Sequence, residues 1–285
     1  MKTKRFSRIY LEITNLCNRT CSFCPGTRRA PGLLSVEDFA LLAGKLRPYT
    51  DYLYLHVMGE PLSHPRLTEL LQEADRLGFR VILTTNGTLL PKVSDSLLSA
   101  PALHKVSISL HSFEANDGGD FDAYLDGCLD FGKAAEATGL IVSYRLWNLD
   151  GETTVGLHAQ NDAILARLRA AFPGAWQANM KGFRLAERIY LEYGEKFDWP
   201  DLSAPDYGQA GTCHGLRDQI AVLCDGSVVP CCLDHDGELT MGNLFVQTLD
   251  EILSSPMANT ILDGFRRREK TMELCRRCGY ATRFG

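Results

Sequence analysis

The sequence predicts an α/β fold: a partial (β/α)6 barrel followed by a small C-terminal domain of a β-hairpin plus helices. Three observations carry this. Six strand-like segments alternate with helical ones up to residue 195. The pattern then lapses into a stretch holding Pro200, Pro205, Gly208 and Gly211, which reads as a linker. Beyond it, two β-prone runs flank Asp225-Gly226, a dipeptide that favours a tight hairpin turn. The division is a barrel over 1–195, a linker over 196–212 and a C-terminal domain over 213–285.

Residues 7–14 (SRIYLEIT) are rich in β-branched and aromatic side chains and open the series as a strand. A helix follows over 35–47, where Ser35 stands three residues before Asp38 ahead of an apolar stripe at helical spacing. Residues 51–58 (DYLYLHVM) are a strand, and 65–78 a helix ended by Gly78. Residues 79–85 (FRVILTT) are a strand, and 91–100 a short helix with Pro91 in its first turn. A strand over 104–110 (HKVSISL) leads into a helix over 122–139. A strand over 141–149 (IVSYRLWNL) leads into a helix over 161–172, opened by Asn161 or Asp162. Residues 183–193 (FRLAERIYLEY) supply the sixth strand. Strands joined through helices pair in parallel with right-handed crossovers. Six are too few to close an eight-stranded barrel, so the active site belongs at the C-terminal strand ends of an open one. The hairpin spans 216–232, short helices cover 248–255 and 256–270, and a Cys-x-x-Cys pair stands near the C-terminus.

Composition narrows the function. With 285 residues, 45% hydrophobic and 23% charged, the chain can bury a sizeable core. A net charge of −5 argues against a broad nucleic-acid surface, which needs a strongly basic face. The N-terminus has no signal-peptide core, and no apolar run reaches the ~18 residues of a membrane span. A cytoplasmic location is expected, where ten cysteines stay reduced rather than paired. Cys128, alone within a helical pattern, reads as a buried small hydrophobe.

The other nine cysteines are clustered. Cys17, Cys21 and Cys24 follow the first strand with no fourth nearby. A structural zinc site uses four ligands, whereas a catalytic metal keeps a coordination position open. Three thiolates could hold three irons of a [4Fe–4S] cluster and leave the fourth open. They could also bind zinc completed by His56 or His64.

The remaining strand ends favour the first reading. Cys-x-x-x-Cys-x-x-Cys with Phe23 before its last cysteine resembles the loop of radical S-adenosylmethionine (SAM) enzymes. In that family the open iron binds SAM, and one electron cleaves it to methionine and a 5′-deoxyadenosyl radical that takes a hydrogen atom from substrate. The resemblance continues in order along the chain. Met58, Gly59, Glu60 and Pro61 match a Gly-Gly-Glu-Pro-like motif at the methionine amino group, with Met58 in place of the first glycine. Thr84 to Gly87 ends strand three, and Ser107 to His111 ends strand four. The resemblance implies that Glu60 faces the cationic end of SAM. It places Thr84, Asn86, Ser107, Ser109 and His111 at the carboxylate and ribose, with Arg145 over the barrel mouth.

Cys213, Cys224, Cys231, Cys232, Cys275 and Cys278 form the second set. Cys275-x-x-Cys278 alone suits zinc or iron–sulfur equally. After such a barrel the set resembles a SPASM domain or its shorter twitch relative. That resemblance implies one auxiliary [4Fe–4S] cluster on Cys213, Cys231, Cys275 and Cys278. Adjacent strand residues point to opposite faces, so only one of Cys231 and Cys232 should ligate it. A radical enzyme of this kind also needs an electron donor, such as flavodoxin or ferredoxin.

The cysteine loop begins at residue 17, which leaves no room before it for a peptide-binding domain and favours a small polar substrate. The short layout resembles the queuine lyases, which release queuine from a queuosine nucleotide during salvage. An inosamine alcohol dehydrogenase, a peptide-modifying maturase and a non-catalytic zinc protein are the alternatives. Lys181, Arg184 and Arg188 are candidate partners for a substrate phosphate.

Overall fold

The computed structural model describes residues 4–116, 119–150, 153–154 and 159–284. The first three residues of the N-terminal segment and the last residue of the C-terminal one lie outside the described residues.

The alternation is present. Strand β1 (Arg8–Leu11) leads to helix α1 (Val36–Leu46), and β2 (Tyr52–Tyr54) to α2 (Leu67–Arg76). Then come β3 (Arg80–Thr85), α3 (Leu90–Leu98), β4 (Leu103–Ser109), α4 (Phe121–Glu136) and β5 (Ile141–Asp150). Next are a short β6 (Thr153–Thr154), α5 (Asn161–Ala171), β7 (Gln177–Asn179), β8 (Gly182–Ala186) and β9 (Ile189–Glu195). The C-terminal part has β10 (Gln219–Val222), β11 (Ser227–Val229), β12 (Gly242–Asn243), α6 (Leu249–Leu253), α7 (Pro256–Arg266) and α8 (Glu273–Arg276). Local chemistry sets several boundaries. Ser35 caps α1 by accepting from Asp38 N, and Thr248 and Glu251 form a reciprocal capping box on α6.

One sheet holds the strands in the order β12-β11-β10-β1-β2-β3-β4-β5-β9-β8-β7, with β6 pairing β5 to one side. From β10 through β9 the neighbours are parallel. The sheet is not closed on itself, and β12 and β7 end its two sides. Alternation along β1 sorts its residues: Ile9 and Leu11 are buried in the core, while Arg8 and Tyr10 line the inner, concave side.

Three expectations need correction. Residues 183–193 are not one strand. The chain reverses at Glu187-Arg188, where Arg188 has φ 60, so β8 and β9 run antiparallel and only β9 extends the parallel set. The alternating apolar pattern survives a tight turn, and nothing in it marks the reversal. The C-terminal hairpin is also not a separate layer: β10 pairs in parallel with β1, Ile9 opposite Ile220, and continues the barrel sheet. Strand two is shorter than expected, ending at Tyr54.

Candidate active site

The three-cysteine loop leaves the C-terminal end of β1 and is tied at its neck. Asn15 Nδ2 donates to Ala30 O at 2.8 Å, and Gly32 N donates back to Asn15 Oδ1 at 2.7 Å. Thr14 Oγ1 donates to Gly32 O at 3.0 Å. Cys24 N closes a turn on Cys21 O at 3.0 Å. Cys17 and Cys24 are exposed and Cys21 is half-buried. Partial burial pushes all three thiols upward, and each feels a neighbouring cysteine as a like charge. Such a set suits a cationic iron centre, each thiolate taking its own iron. Among the described residues no three His, Cys, Asp or Glu side chains converge on a single-ion site.

The adjoining strand ends hold this loop by contacts that the residue types alone did not reveal. Glu60 is 2% exposed, and its carboxylate accepts from Leu62 N at 3.0 Å and Asn86 N at 2.8 Å. It therefore pins the second strand-end loop to the third and is not among the residues lining the cavity. Pro61 opens the single 3-10 turn that Glu60 caps. Asn86 is likewise committed: Nδ2 donates to Asn18 Oδ1 at 2.9 Å, and Oδ1 accepts from Thr88 N at 3.0 Å. Gly59 has φ 77, and a Cβ there would stand 2.5 Å from Thr14 O and 2.8 Å from Leu16 O. Glycine is what lets this loop lie against the cysteine loop. Met58 is buried, its amide donating to Glu12 Oε1 at 3.1 Å. Asn116 supplies a link the sequence did not announce: Nδ2 donates to Cys21 Sγ at 3.2 Å, and Oδ1 accepts from Thr20 N at 2.9 Å.

Beside this loop opens a cavity of about 740 Å³ running down the barrel's concave side. Phe23 and Gly59 border its mouth with Thr84, Ser107, Ser109 and His111 from the third and fourth strand ends. The Phe23 and His111 rings lie 5.1 Å apart. His111 Nδ1 hydrogen-bonds Arg145 O at 3.1 Å. The Arg145 guanidinium lies 3.3 Å from the Trp147 ring centroid, and Nη1 donates to Thr84 Oγ1 at 3.3 Å. Burial pulls Arg145 down to about 10, His111 to about 4 and His56 to about 3, so both imidazoles are neutral near pH 7.

Deeper walls are charged and aromatic: Arg8, Tyr10, Tyr54, His56, and Lys105 paired with Glu192 at 2.7 Å. Spacing alone did not single these out, because an inward residue and a solvated one alternate identically. Of the three cations expected at a substrate phosphate, Lys181 lines the cavity. Arg184 and Arg188 do not. Arg184 is exposed and donates to Ala186 O, and Arg188 sits at the opposite end of the barrel, its carbonyl accepting from Val142 N at the start of β5. The histidines of the zinc alternative are elsewhere too. Both His64 nitrogens are used, on Leu34 O and Arg66 N, and His56 packs on Tyr10 within the cavity.

At the far wall stand Cys213, Cys231, Cys232, Cys275 and Cys278. Burial raises the Cys231 thiol well above its ordinary value, and the other four add to it as like charges. Burial likewise pushes Cys275 up to about 12 and Cys278 to about 11, with Cys213 a further cause in both. Four mutually repelling thiols in one buried place fit a cationic cluster. Cys232 instead neighbours Tyr10 and Arg8.

Cys224 belongs to a separate network. Glu12, fully buried, accepts from Arg29 Nη2 at 2.7 Å, Met58 N at 3.1 Å and Cys224 N at 3.1 Å. Arg29 Nε donates to His235 O at 2.7 Å. Beside it, Thr27 Oγ1 and Arg28 Nε reach the Asp236 carboxylate, each at 2.7 Å. The segment after the first cysteine set is thereby clamped to the segment after Cys231-Cys232.

Comparison with known proteins agrees with this geometry. The family model of the radical SAM superfamily matches residues 11–158, and that of an iron–sulfur cluster-binding domain, SPASM, matches 213–279. A probable GTP 3′,8-cyclase of Saccharolobus solfataricus is 33% identical over 150 residues, covering 48% of this chain and 47% of that protein. Its counterpart in Saccharolobus islandicus is 31% identical over the same coverage, so the chain spans about half the length of these curated relatives. Among solved structures, BtrN in complex with AdoMet and 2-DOIA has a TM-score of 0.60 at 19% identity, covering 96% of this chain and 93% of that one. Streptococcus suis SuiB bound to S-adenosylmethionine gives 0.62 at 14% identity, over 90% and 66%. Native anSMEcpe with bound AdoMet and Kp18Cys peptide gives 0.63 at 14%, over 98% and 90%. The two domain matches carry the cofactors with them: SAM on a [4Fe–4S] cluster for the first, auxiliary iron–sulfur for the second. The chain belongs to the radical SAM superfamily, its barrel followed by an iron–sulfur cluster-binding domain.

Proposed function

We propose that the chain is a radical SAM enzyme that takes hydrogen from a small polar substrate held inside the barrel, and that it acts as a queuine lyase on queuosine 5′-phosphate. The observation that carries the reading is the deep cavity, with Arg8, Lys105, Glu192 and Arg145 on its walls. A lining of ionised and hydroxyl groups suits a phosphorylated nucleoside better than an apolar side chain. The relatives' name, GTP 3′,8-cyclase, is that of a nucleotide-acting protein, which agrees.

In this reading Cys17, Cys21 and Cys24 hold the SAM-binding cluster, which supplies the hydrogen-abstracting radical when SAM is bound. Thr84, Ser107, Ser109 and His111 line the SAM side of the cavity. Neutral His111, fixed by Arg145 O, offers Nε2 without adding charge. Trp147 and Phe23, both solvent-exposed, line the same cavity. Cys213, Cys231, Cys275 and Cys278 hold one auxiliary cluster, saturated by four thiolates and so suited to electron transfer. The exposed Cys17 and Cys24 side is where flavodoxin or ferredoxin would deliver electrons. Abstraction would put the hydrogen on 5′-deoxyadenosine and leave a carbon radical beside the glycosidic bond; one further electron, from the same reductant, and a proton from solvent would then release the protonated base and an unsaturated sugar. The zinc-protein alternative loses its histidine ligands at the first site, as described above.

A dehydrogenase acting on an aminosugar or inosamine is the second reading, favoured by the near-complete mutual coverage with BtrN. A peptide maturase is the third, since SuiB was also seen with its precursor peptide SuiA. The test is anaerobic incubation of reconstituted protein with SAM, reductant and queuosine 5′-phosphate, read by mass spectrometry. Free queuine supports the lyase. No queuine, with an inosamine oxidised to a ketone instead, replaces it with the dehydrogenase.

A further inference from the structure

We propose that the cavity wall between Arg8, deep in the barrel, and Arg145, nearer its mouth, is an oxyanion site that takes the phosphate monoester of the substrate. The proposal deepens the reading above and rests on it in placing the substrate inside the barrel.

The argument starts from charge pairing. Arg28, Arg29, Arg47, Arg66 and eight further described arginines sit on a carboxylate, and nine do not. Among the described residues, Arg8 and Arg145 have no carboxylate within ion-pair distance, although both are half-buried in the cavity wall. Glu192, which lines the cavity with Glu195 and Asp234, is hydrogen-bonded to Lys105 at 2.7 Å and attracts Arg145 only from beyond ion-pair distance. Arg8 uses Nε on the neutral Gln219 Oε1 at 3.0 Å, which orients the guanidinium and leaves its charge uncompensated. Arg145 Nε is buried and has no hydrogen-bond partner, and neither has His56 Nδ1 on the same wall. Buried polar groups are ordinarily satisfied, and a desolvated cation is costly without an anion.

The groups converge. Tyr10 and Tyr54 lie 4.9 Å apart and neighbour both guanidiniums, with the Arg8 guanidinium 5.9 Å from the Tyr54 ring centroid. Two planar forks with two phenol hydroxyls match the many lone pairs of a phosphate dianion better than one carboxylate.

Position separates this anion from the SAM carboxylate. Arg8 opens β1, whereas the cysteine loop leaves its other end after Leu11, at least about 10 Å along the strand. The site is also distinct from Arg184 and Arg188, which are outside the cavity. A phosphate on this wall would leave its sugar higher in the barrel, toward Phe23 and Gly59.

The test uses anaerobically reconstituted holoprotein saturated with SAM, titrated with inorganic phosphate and with ribose 5-phosphate by calorimetry. Wild type is expected to bind ribose 5-phosphate. Arg8→Gln is expected to weaken that binding about tenfold or more, the scale of a lost charge-assisted hydrogen bond. Arg184→Gln should leave it unchanged, and SAM affinity should move less than about twofold in Arg8→Gln, since its charge lies away from SAM. Arg8→Lys, which keeps the charge and loses the fork, should give an intermediate loss and stands in if Arg8→Gln does not fold. The proposal is overturned if wild type binds neither phosphate, if Arg8→Gln or Arg8→Lys leaves phosphate binding intact, or if SAM affinity falls as much as phosphate affinity. In the last case the oxyanion was the SAM carboxylate. Phosphate binding that depends on Arg8 without queuine release would leave this site standing and remove the lyase assignment.

Discussion

Replacing Arg29 with methionine should loosen both cysteine segments at once. Glu12 is fully buried, and among the described residues Arg29 is its one charged partner, at 2.7 Å, with Met58 N and Cys224 N as neutral donors. Methionine fills much of the space and leaves the carboxylate stranded. Removing one member of a buried pair costs about 3–5 kcal/mol. The two remaining amide donors, each worth ~1.5–3 kcal/mol to a charged acceptor, hold the effect to the lower end, near 3 kcal/mol. That corresponds to roughly a hundredfold easier local opening. The assay is hydrogen exchange of the Met58 and Cys224 amides in anaerobic holoprotein. A second variant, Glu12→Gln with Arg29→Met, removes the stranded charge and should recover a substantial part of the protection. Exchange changed by less than about threefold in Arg29→Met, where a hundredfold is expected, would refute the reasoning. So would a double variant worse than the single one.

Gly59→Ala forces an L-residue to φ 77 against Thr14 O and Leu16 O. SAM cleavage should fall at least about tenfold, as a misplacement of about 1 Å can do, while auxiliary iron is retained; unchanged cleavage would show the contact to be slack. His56 is held neutral with its value lowered to about 3. Because the unfolded imidazole binds a proton near 6.5, the unfolded state takes up more protons as pH falls, so the stability contribution is present above that value and lost below it. From pH 7.5 to 5.5, denaturant titration should show wild type losing about 1.4 kcal/mol more than His56→Gln. Equal losses would contradict the neutral assignment. Replacing Cys275 and Cys278 by alanine should remove about four irons per chain and leave slow SAM cleavage; an unchanged iron content would move the auxiliary cluster elsewhere.

Much of this site was readable from residue types and spacing, for reasons that differ by residue. The cysteine triplet, Phe23 and the strand-end runs at 84–87 and 107–111 are local patterns, and Phe23, Thr84, Ser107, Ser109 and His111 of them line one cavity. Glu60 and Asn86 also join neighbouring loops, which the motifs did not announce. A motif fixes where a side chain starts, and the amides of Asn86 and Leu62, which claim the Glu60 oxygens, depend on how two loops meet. Arg8 and Tyr54 were overlooked, and His56 was weighed only as a zinc ligand, because an alternating strand looks the same whether its polar face meets water or a cavity. The Glu12–Arg29–Cys224 network spans 212 residues of sequence, and nothing local announces it. The reversal at Arg188 was hidden by an apolar alternation that continues across the turn.

The central claim is that the loop of Cys17, Cys21 and Cys24 holds the cluster at which SAM is cleaved. The direct measurement is 5′-deoxyadenosine formed from SAM and a reductant, anaerobically, by wild type and by the variant carrying all three cysteines as alanine. The account predicts 5′-deoxyadenosine and methionine from wild type. It predicts none from the variant, which should still carry its C-terminal iron. 5′-Deoxyadenosine retained in the variant would contradict the account.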